Sequence, residues 1–183
     1  MRTLKNFICA ISIVAIAMNG CTSLPEHEVD VCVYGGTAAG VIAAYSAKMM
    51  GKSVVLVEPG KCLGGLTTGG LGATDIGNKH AITGLSRDFY RRIGKHYGKF
   101  ESWIFEPSVA GKVIHQYVNE AHLDVLYQKR IVSATKHGTS ISYITLEDAQ
   151  SPDAETVVRI KAKQYIDCSY EGDLMACILL PIC

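Results

Sequence analysis

Thirty residues near the start of the chain restrict its fold more than any other stretch. Val29–Tyr34 (VDVCVY) is a short, mostly β-branched apolar run, as expected of a strand buried on both faces. Six residues, GGTAAG, come next at Gly35–Gly40. From Ala38 to Met49 the apolar residues Ala38, Ile42, Tyr45 and Met49 recur at three- and four-residue steps. That spacing predicts a helix with one buried stripe, ended by Gly51. Ser53–Val57 (SVVLV) is a second buried strand, closed by Glu58, Pro59 and Gly60. Strand, glycine turn, helix and strand in this order form a βαβ unit with parallel strands and a right-handed crossover.

The turn inside this unit has a chemical reading. Amide donors and the positive end of a helix dipole converge at a helix N-terminus, where they favour a phosphate, provided side chains do not obstruct it. In the fingerprint G-x-G-x-x-G the first glycine turns the chain, the second admits a pyrophosphate and the third lets helix meet strand. Gly35 and Gly40 hold the first and third places. Thr37 holds the second, with Gly36 before it and Ala38 and Ala39 after it. Thr37 puts a Cβ where a phosphate would approach, although its hydroxyl is a candidate donor to a phosphate oxygen. Glu58 stands 23 residues after Gly35, near the place where a carboxylate accepts from an adenosine ribose and repels a 2′-phosphate, so NADP is disfavoured. A plain packing turn with a surface glutamate is the other reading of the same residues.

The rest of the chain extends this pattern. Residues 60–78 (GKCLGGLTTGGLGATDIGN) are too long for an idle connection, and Leu63, Leu66, Leu71 and Ile76 give them apolar anchors. We expect an ordered, functional loop. Gly84–Ile93 and Pro107–Ala121 read as helices, the second with proline in its first turn. Leu123–Tyr127 reads as a strand. Ile131–Thr135, Ile141–Leu146 and Thr156–Ala162 read as an antiparallel meander, and Gln164–Cys168 as a separate last strand. The fold class expected is α/β: a Rossmann-like βαβ sheet with an inserted antiparallel β-meander.

Composition mainly excludes. A net charge of +1 over 183 residues leaves no electrostatic footprint for nucleic acid. No two of the seven cysteines are spaced as CxxC, so neither a zinc site nor a ferredoxin-type cluster has a motif, and their irregular spacing argues against a disulfide framework. The six histidines show no HxH or HxxxH pairing. His80, after the glycine-rich loop, is the one to consider as a proton donor, against a solvated loop residue. Arg87, Arg91 and Arg92 suit either an anion or a solvated helix face. Cys62, beside Gly64, reads more simply as a small filler than as a redox thiol.

The N-terminus reads as an address. Arg2 and Lys5 precede an apolar stretch, Phe7–Met18, and then Asn19, Gly20 and Cys21. About a dozen residues fall short of the roughly 20 that span a bilayer, so a signal peptide over residues 1–20 is expected. The ending resembles a bacterial lipobox, which makes Cys21 the lipidation site and the cell envelope the destination; an ordinary signal peptide is the alternative. Without Arg2 and Lys5 the 18 Lys and Arg fall to 16 against 17 Asp and Glu, so a lipid is the expected membrane anchor. Residues 21–28 read as a tether.

Flavin and nicotinamide cofactors both use the fingerprint, and the segment beyond Glu58 separates them. Loop, two helices, meander and a strand ending in Gly-Asp resemble the glutathione-reductase-like FAD fold. The runs VYGGTAAGVIAAYSAKMMGK (33–52), VVLVEPGKCLGGLTTGGLGATD (54–75) and YIDCSYEGDLMA (165–176) resemble the bacterial FAD-dependent oxidoreductase family, related to the heterodisulfide reductase A subunit group. The resemblance covers most of residues 29–176. It implies FAD, with Gly35, Gly36, Thr37, Ala38, Ala39 and Gly40 on the pyrophosphate and Glu58 on the ribose. It further implies Gly64, Gly65, Thr67, Thr68, Gly69 and Gly70 beside the flavin half, Val132 bordering the adenine, and Asp167, Gly172 and Asp173 near the cofactor where the final strand turns. Some relatives carry a 4Fe-4S cluster, whose ligand motif is missing here. The resemblance makes residues 29–177 an incomplete FAD-binding domain and 178–183 an atypical tail, because family members are longer. Two functions remain open: an FAD-dependent oxidoreductase or its FAD half, acting on a small molecule that the sequence does not specify, or a non-catalytic envelope lipoprotein fragment. No catalytic residue is legible.

Overall fold

The structure, a computed structural model, describes residues 24–152 and 157–179. The proposed signal and Cys21 lie outside the described residues. The chain runs β1 (Glu26–Tyr34), α1 (Ala38–Met49), β2 (Val54–Glu58), α2 (Leu66–Gly69), a 3-10 turn (Lys79–Ala81), α3 (Gly84–His96) and α4 (Pro107–Glu120). It continues through β3 (Asp124–Tyr127), β4 (Lys129–His137), β5 (Ser140–Asp148), β6 (Val158–Asp167) and α5 (Asp173–Leu179). The six strands form one sheet in the order β3-β2-β1-β6-β5-β4. The first four are mutually parallel, whereas β5 and β4 are added antiparallel.

Alternation along β1 and β2 divides the core in two. Val31, Val33, Val54 and Leu56 face α1, α3 and α4, where Val41, Ala44, Ile93, Val113 and Tyr117 complete one cluster. Cys32, Tyr34, Val55 and Val57 point to the opposite side, against Ile144 and Leu146 of β5 and Leu174 of α5. The antiparallel strands therefore fold back across the parallel ones, giving layers of helices, sheet and meander. Each fully buried Leu, Ile or Val stabilises this arrangement by about 1.5–3 kcal/mol. One hydrogen bond marks the fold-back: the Ile131 amide donates to the Tyr34 hydroxyl at 3.1 Å. Burial pushes the Tyr34 phenol up to about 12, so it is a neutral acceptor there.

Three boundaries differ from those expected. The first strand begins at Glu26, so residues 26–28 of the expected tether belong to the sheet, paired with Arg159, Ile160 and Lys161. Charge pairing across the strands, as in Glu28 Oε1 to Lys161 Nζ at 3.3 Å, is invisible to a search for apolar runs. The expected third meander strand and the separate last strand are one continuous β6. Lys163 alone stands between the two expected runs, and its ammonium binds Asp30 at 2.7 Å. With no glycine or proline present, nothing breaks the strand. Finally, Ile178 and Leu179 of the expected tail lie in α5, where Ile178 packs on the second core. The meander, inserted in the chain between β3 and β6, joins the main sheet through β6.

Candidate functional site

The C-terminal ends of β1 and β2 and the start of α1 meet at the glycine turn. Gly35 has φ +97°, and a Cβ there would lie 2.6 Å from the Ser169 amide nitrogen. Its glycine identity is therefore set by the segment after β6. Gly40 is tighter still, since a Cβ would fall 1.9 Å from the Gly35 carbonyl oxygen. Thr37 caps α1: its hydroxyl accepts from the Gly40 amide at 3.2 Å and donates to the Cys168 carbonyl at 3.0 Å. This corrects the expectation for Thr37, because the hydroxyl proton is committed to Cys168 and does not face a phosphate. The amides of Ala38 and Ala39 precede the first intrahelical hydrogen bonds of α1. Ala39 is exposed and Ala38 half-buried, so this first turn faces solvent.

Glu58 closes β2 against the same turn. One carboxylate oxygen accepts from the Gly36 amide at 2.7 Å and the other from the Gly60 amide. A Cβ on Gly36 would meet both Leu63 and the Glu58 carboxylate, at 2.5 and 2.7 Å. Two lone-pair sites on the carboxylate remain for further donors.

The second glycine segment is laid onto the first. Gly64 donates to the Gly36 carbonyl at 2.7 Å and bridges to Thr37. Gly64 and Gly65 both have positive φ, +97° and +53°. The Thr68 hydroxyl donates to the Leu63 carbonyl at 2.6 Å, which shapes the loop from within. A Cβ at Gly69 would meet no atom within 4 Å, so nothing in the chain itself demands a glycine there. Thr67 joins Ala38, Ala39, Ile42, Leu85 and Phe89 around a cleft of about 300 Å³ beside the first turn of α1.

The turn after β6 supplies the third wall. Asp167 accepts from the Ser169 amide and hydroxyl and from the Met175 amide, at 3.0, 2.7 and 2.9 Å. These bonds fix the turn through Gly172, φ +73°, into α5. Burial raises the Asp173 carboxyl, and the neighbouring Glu171 and Asp167 raise it further. Val132 lies in β4 at a register shift between Ile131 and Ser133, beside the Ile131–Tyr34 contact. Leu63, one of the expected apolar anchors, packs on Gly36. Sequence reasoning did not single out Tyr170, whose hydroxyl accepts from the Leu66 amide at 2.7 Å. Tyr170 lies within a quoted run, but one aromatic residue in a turn carries no signal of its own.

Other candidates sit apart from this geometry. Arg87 pairs with Glu101 at 3.2 Å, Arg92 with Asp88 and Glu120 at 2.7 and 2.6 Å, and Arg91 lies over the Phe100 ring. His80 and Cys62 are exposed. Among the described residues no group of three His, Cys, Asp or Glu is placed to hold a metal ion, and no helix is long and apolar enough to cross a membrane.

The sequence profile of a family described as FAD dependent oxidoreductase matches residues 30–179. The chain belongs to the FAD-dependent oxidoreductase family. FAD is the family's cofactor, and the solvent-facing first turn of α1, with the Glu58 carboxylate at the end of β2, fits its diphosphate and ribose. Solved structures share the fold at low identity. Thermovibrio ammonificans THI4 is 15% identical with a TM-score of 0.58, covering 82% of this chain and 61% of that one. A geranylgeranyl bacteriochlorophyll reductase-like protein from Thermoplasma acidophilum is 18% identical with a TM-score of 0.58, covering 85% and 43%. A flavoprotein/dehydrogenase from Cytophaga hutchinsonii is 20% identical with a TM-score of 0.56, covering 82% and 41%. The chain thus spans less than two thirds of these proteins' lengths. No curated protein matches its sequence significantly.

Proposed function

We propose that the chain is the FAD-binding part of an exported oxidoreductase acting on a small molecule. In this reading the diphosphate lies against the amides of Ala38 and Ala39, with Gly35, Gly36, Thr37 and Gly40 shaping its approach. Glu58 accepts from the adenosine ribose, and Val132 borders the adenine. Gly64, Gly65, Thr67, Thr68 and Gly69 flank the flavin half, and Asp167, Gly172 and Asp173 form the wall beyond it. When bound, FAD supplies hydride and electron transfer, while the protein supplies position and electrostatics. The observation that carries the reading is the solvent-facing first turn of α1 beside a carboxylate held 2.7 Å from the Gly36 amide. The resemblance to the heterodisulfide reductase A subunit group is kept without its 4Fe-4S cluster, for which no CxxC run is present. The apolar leader ending in Gly20-Cys21 supports lipidation at Cys21 and residence in the cell envelope.

Titration with FAD tests this. The purified chain is expected to retain, or take up, one flavin absorbing near about 450 nm. A folded protein that stays colourless with excess FAD contradicts the reading and favours a non-catalytic envelope fragment. Expressed with its leader, the chain should sediment with membranes, and Cys21→Ser should release it. Unchanged sedimentation of that variant would contradict the anchor.

A further inference from the structure

We infer that Tyr170 is a positioning residue that ties the second glycine loop to the turn after β6 and so sets where that loop stands against the nucleotide-binding turn. The inference rests on the FAD-binding function proposed for this site. The helix α2 begins at Leu66, and its N-cap, Gly65, offers no side chain to satisfy the first amides. The Tyr170 hydroxyl fills that role from 104 residues away, accepting from the Leu66 amide at 2.7 Å. Gly65 leaves room for it: a Cβ at Gly65 would lie 2.2 Å from the Tyr170 hydroxyl oxygen and 3.1 Å from Cζ.

The base of this clamp is rigid. Cys168 is fixed to β1 by its amide, which donates to the Tyr34 carbonyl at 2.7 Å, and to α1 by its carbonyl, which accepts from Thr37. Asp167 and Ser169 hold the turn between Cys168 and Tyr170. One turn thus joins the first glycine turn at Thr37 and the second glycine loop at Leu66. The two glycine segments also touch directly, through the Gly64–Gly36 hydrogen bond with its bridge to Thr37 and through Leu63 against Gly36. Tyr170 is 59% exposed, so its ring contributes little to the core and its removal should leave the fold intact. Having accepted from Leu66, the phenol keeps its own proton as a donor.

Hydrogen exchange and FAD titration of Tyr170→Phe test this. Without FAD, the Leu66 amide should exchange about tenfold faster in the variant, with the melting temperature nearly unchanged. With FAD, affinity should weaken about three- to tenfold, the effect of one lost hydrogen bond. The visible circular dichroism of bound flavin at saturation should also change, which mere loss of stability would not produce. Gly65→Ala, which pushes the ring aside and also strains the backbone at φ +53°, should reproduce both effects and add less in the Tyr170→Phe background than alone, the backbone strain alone persisting there. Unchanged exchange at Leu66 in Tyr170→Phe overturns the clamp. Faster exchange with unaltered FAD affinity and flavin dichroism overturns the positioning role. If the unsubstituted chain binds no FAD, the proposed function fails, while the exchange measurement still decides the clamp.

Discussion

Gly40→Ala is expected to lower stability by about 3 kcal/mol or more and to abolish FAD binding. The new Cβ would stand 1.9 Å from the Gly35 carbonyl oxygen, a backbone atom that no rotamer change can move. Relief requires α1 to shift away from the end of β1. That shift would break the Thr37 cap and carry the Ala38 and Ala39 amides out of place, so stability and binding fall together. The loss is a large fraction of the roughly 5–15 kcal/mol that holds a typical domain. Gly111, inside α4 with no atom within 4 Å of its Cβ position, is the control. Its replacement by alanine is expected to gain up to about 1 kcal/mol, because helical glycine carries only an entropic cost there. Denaturant melts of the two variants check the contrast. Equal effects would mean that the Gly35–Gly40 approach does not govern the turn.

Glu58→Gln separates the two tasks of the carboxylate. Each oxygen accepts one backbone amide, from Gly36 and Gly60. Glutamine offers a single oxygen and turns an NH2 group toward the other amide, leaving two donors face to face. About 1–3 kcal/mol of stability should be lost. FAD affinity should fall about tenfold to a hundredfold, because the charge-assisted bonds proposed to the ribose hydroxyls would be lost as well. Isothermal titration with FAD, compared with a thermal melt, reads both. A variant that melts earlier yet binds FAD as tightly as before would reduce Glu58 to a loop clip.

Local physics makes residues 29–60 legible. The stripe from Ala38 to Met49 matches α1 end to end, and Gly35, Gly40 and Glu58 converge as their spacing suggests. Contacts across distant parts of the chain are not legible in the same way. That Gly35 makes room for Ser169, that the Thr37 hydroxyl is committed to Cys168, and that Tyr170 caps Leu66 all depend on β6 returning beside β1. The charged start of β1 and the unbroken course of β6 escape a sequence reading for a related reason. Cross-strand pairing holds Glu26–Glu28 and Lys163 in the sheet, although an apolar-run pattern rejects them. The bulge at Val132 likewise arises from the β4–β5 register.

Everything proposed for the site depends on the diphosphate of FAD being held by the amides that open α1. Backbone amide resonances observed through an FAD titration decide whether it is. Ala38 and Ala39 should shift strongly and saturably, together with Gly36 as its partner Glu58 gains further donors, while Gly138 at the β4–β5 turn stays still. Saturable FAD binding that leaves Ala38 and Ala39 unmoved would place the diphosphate elsewhere and refute the proposed site.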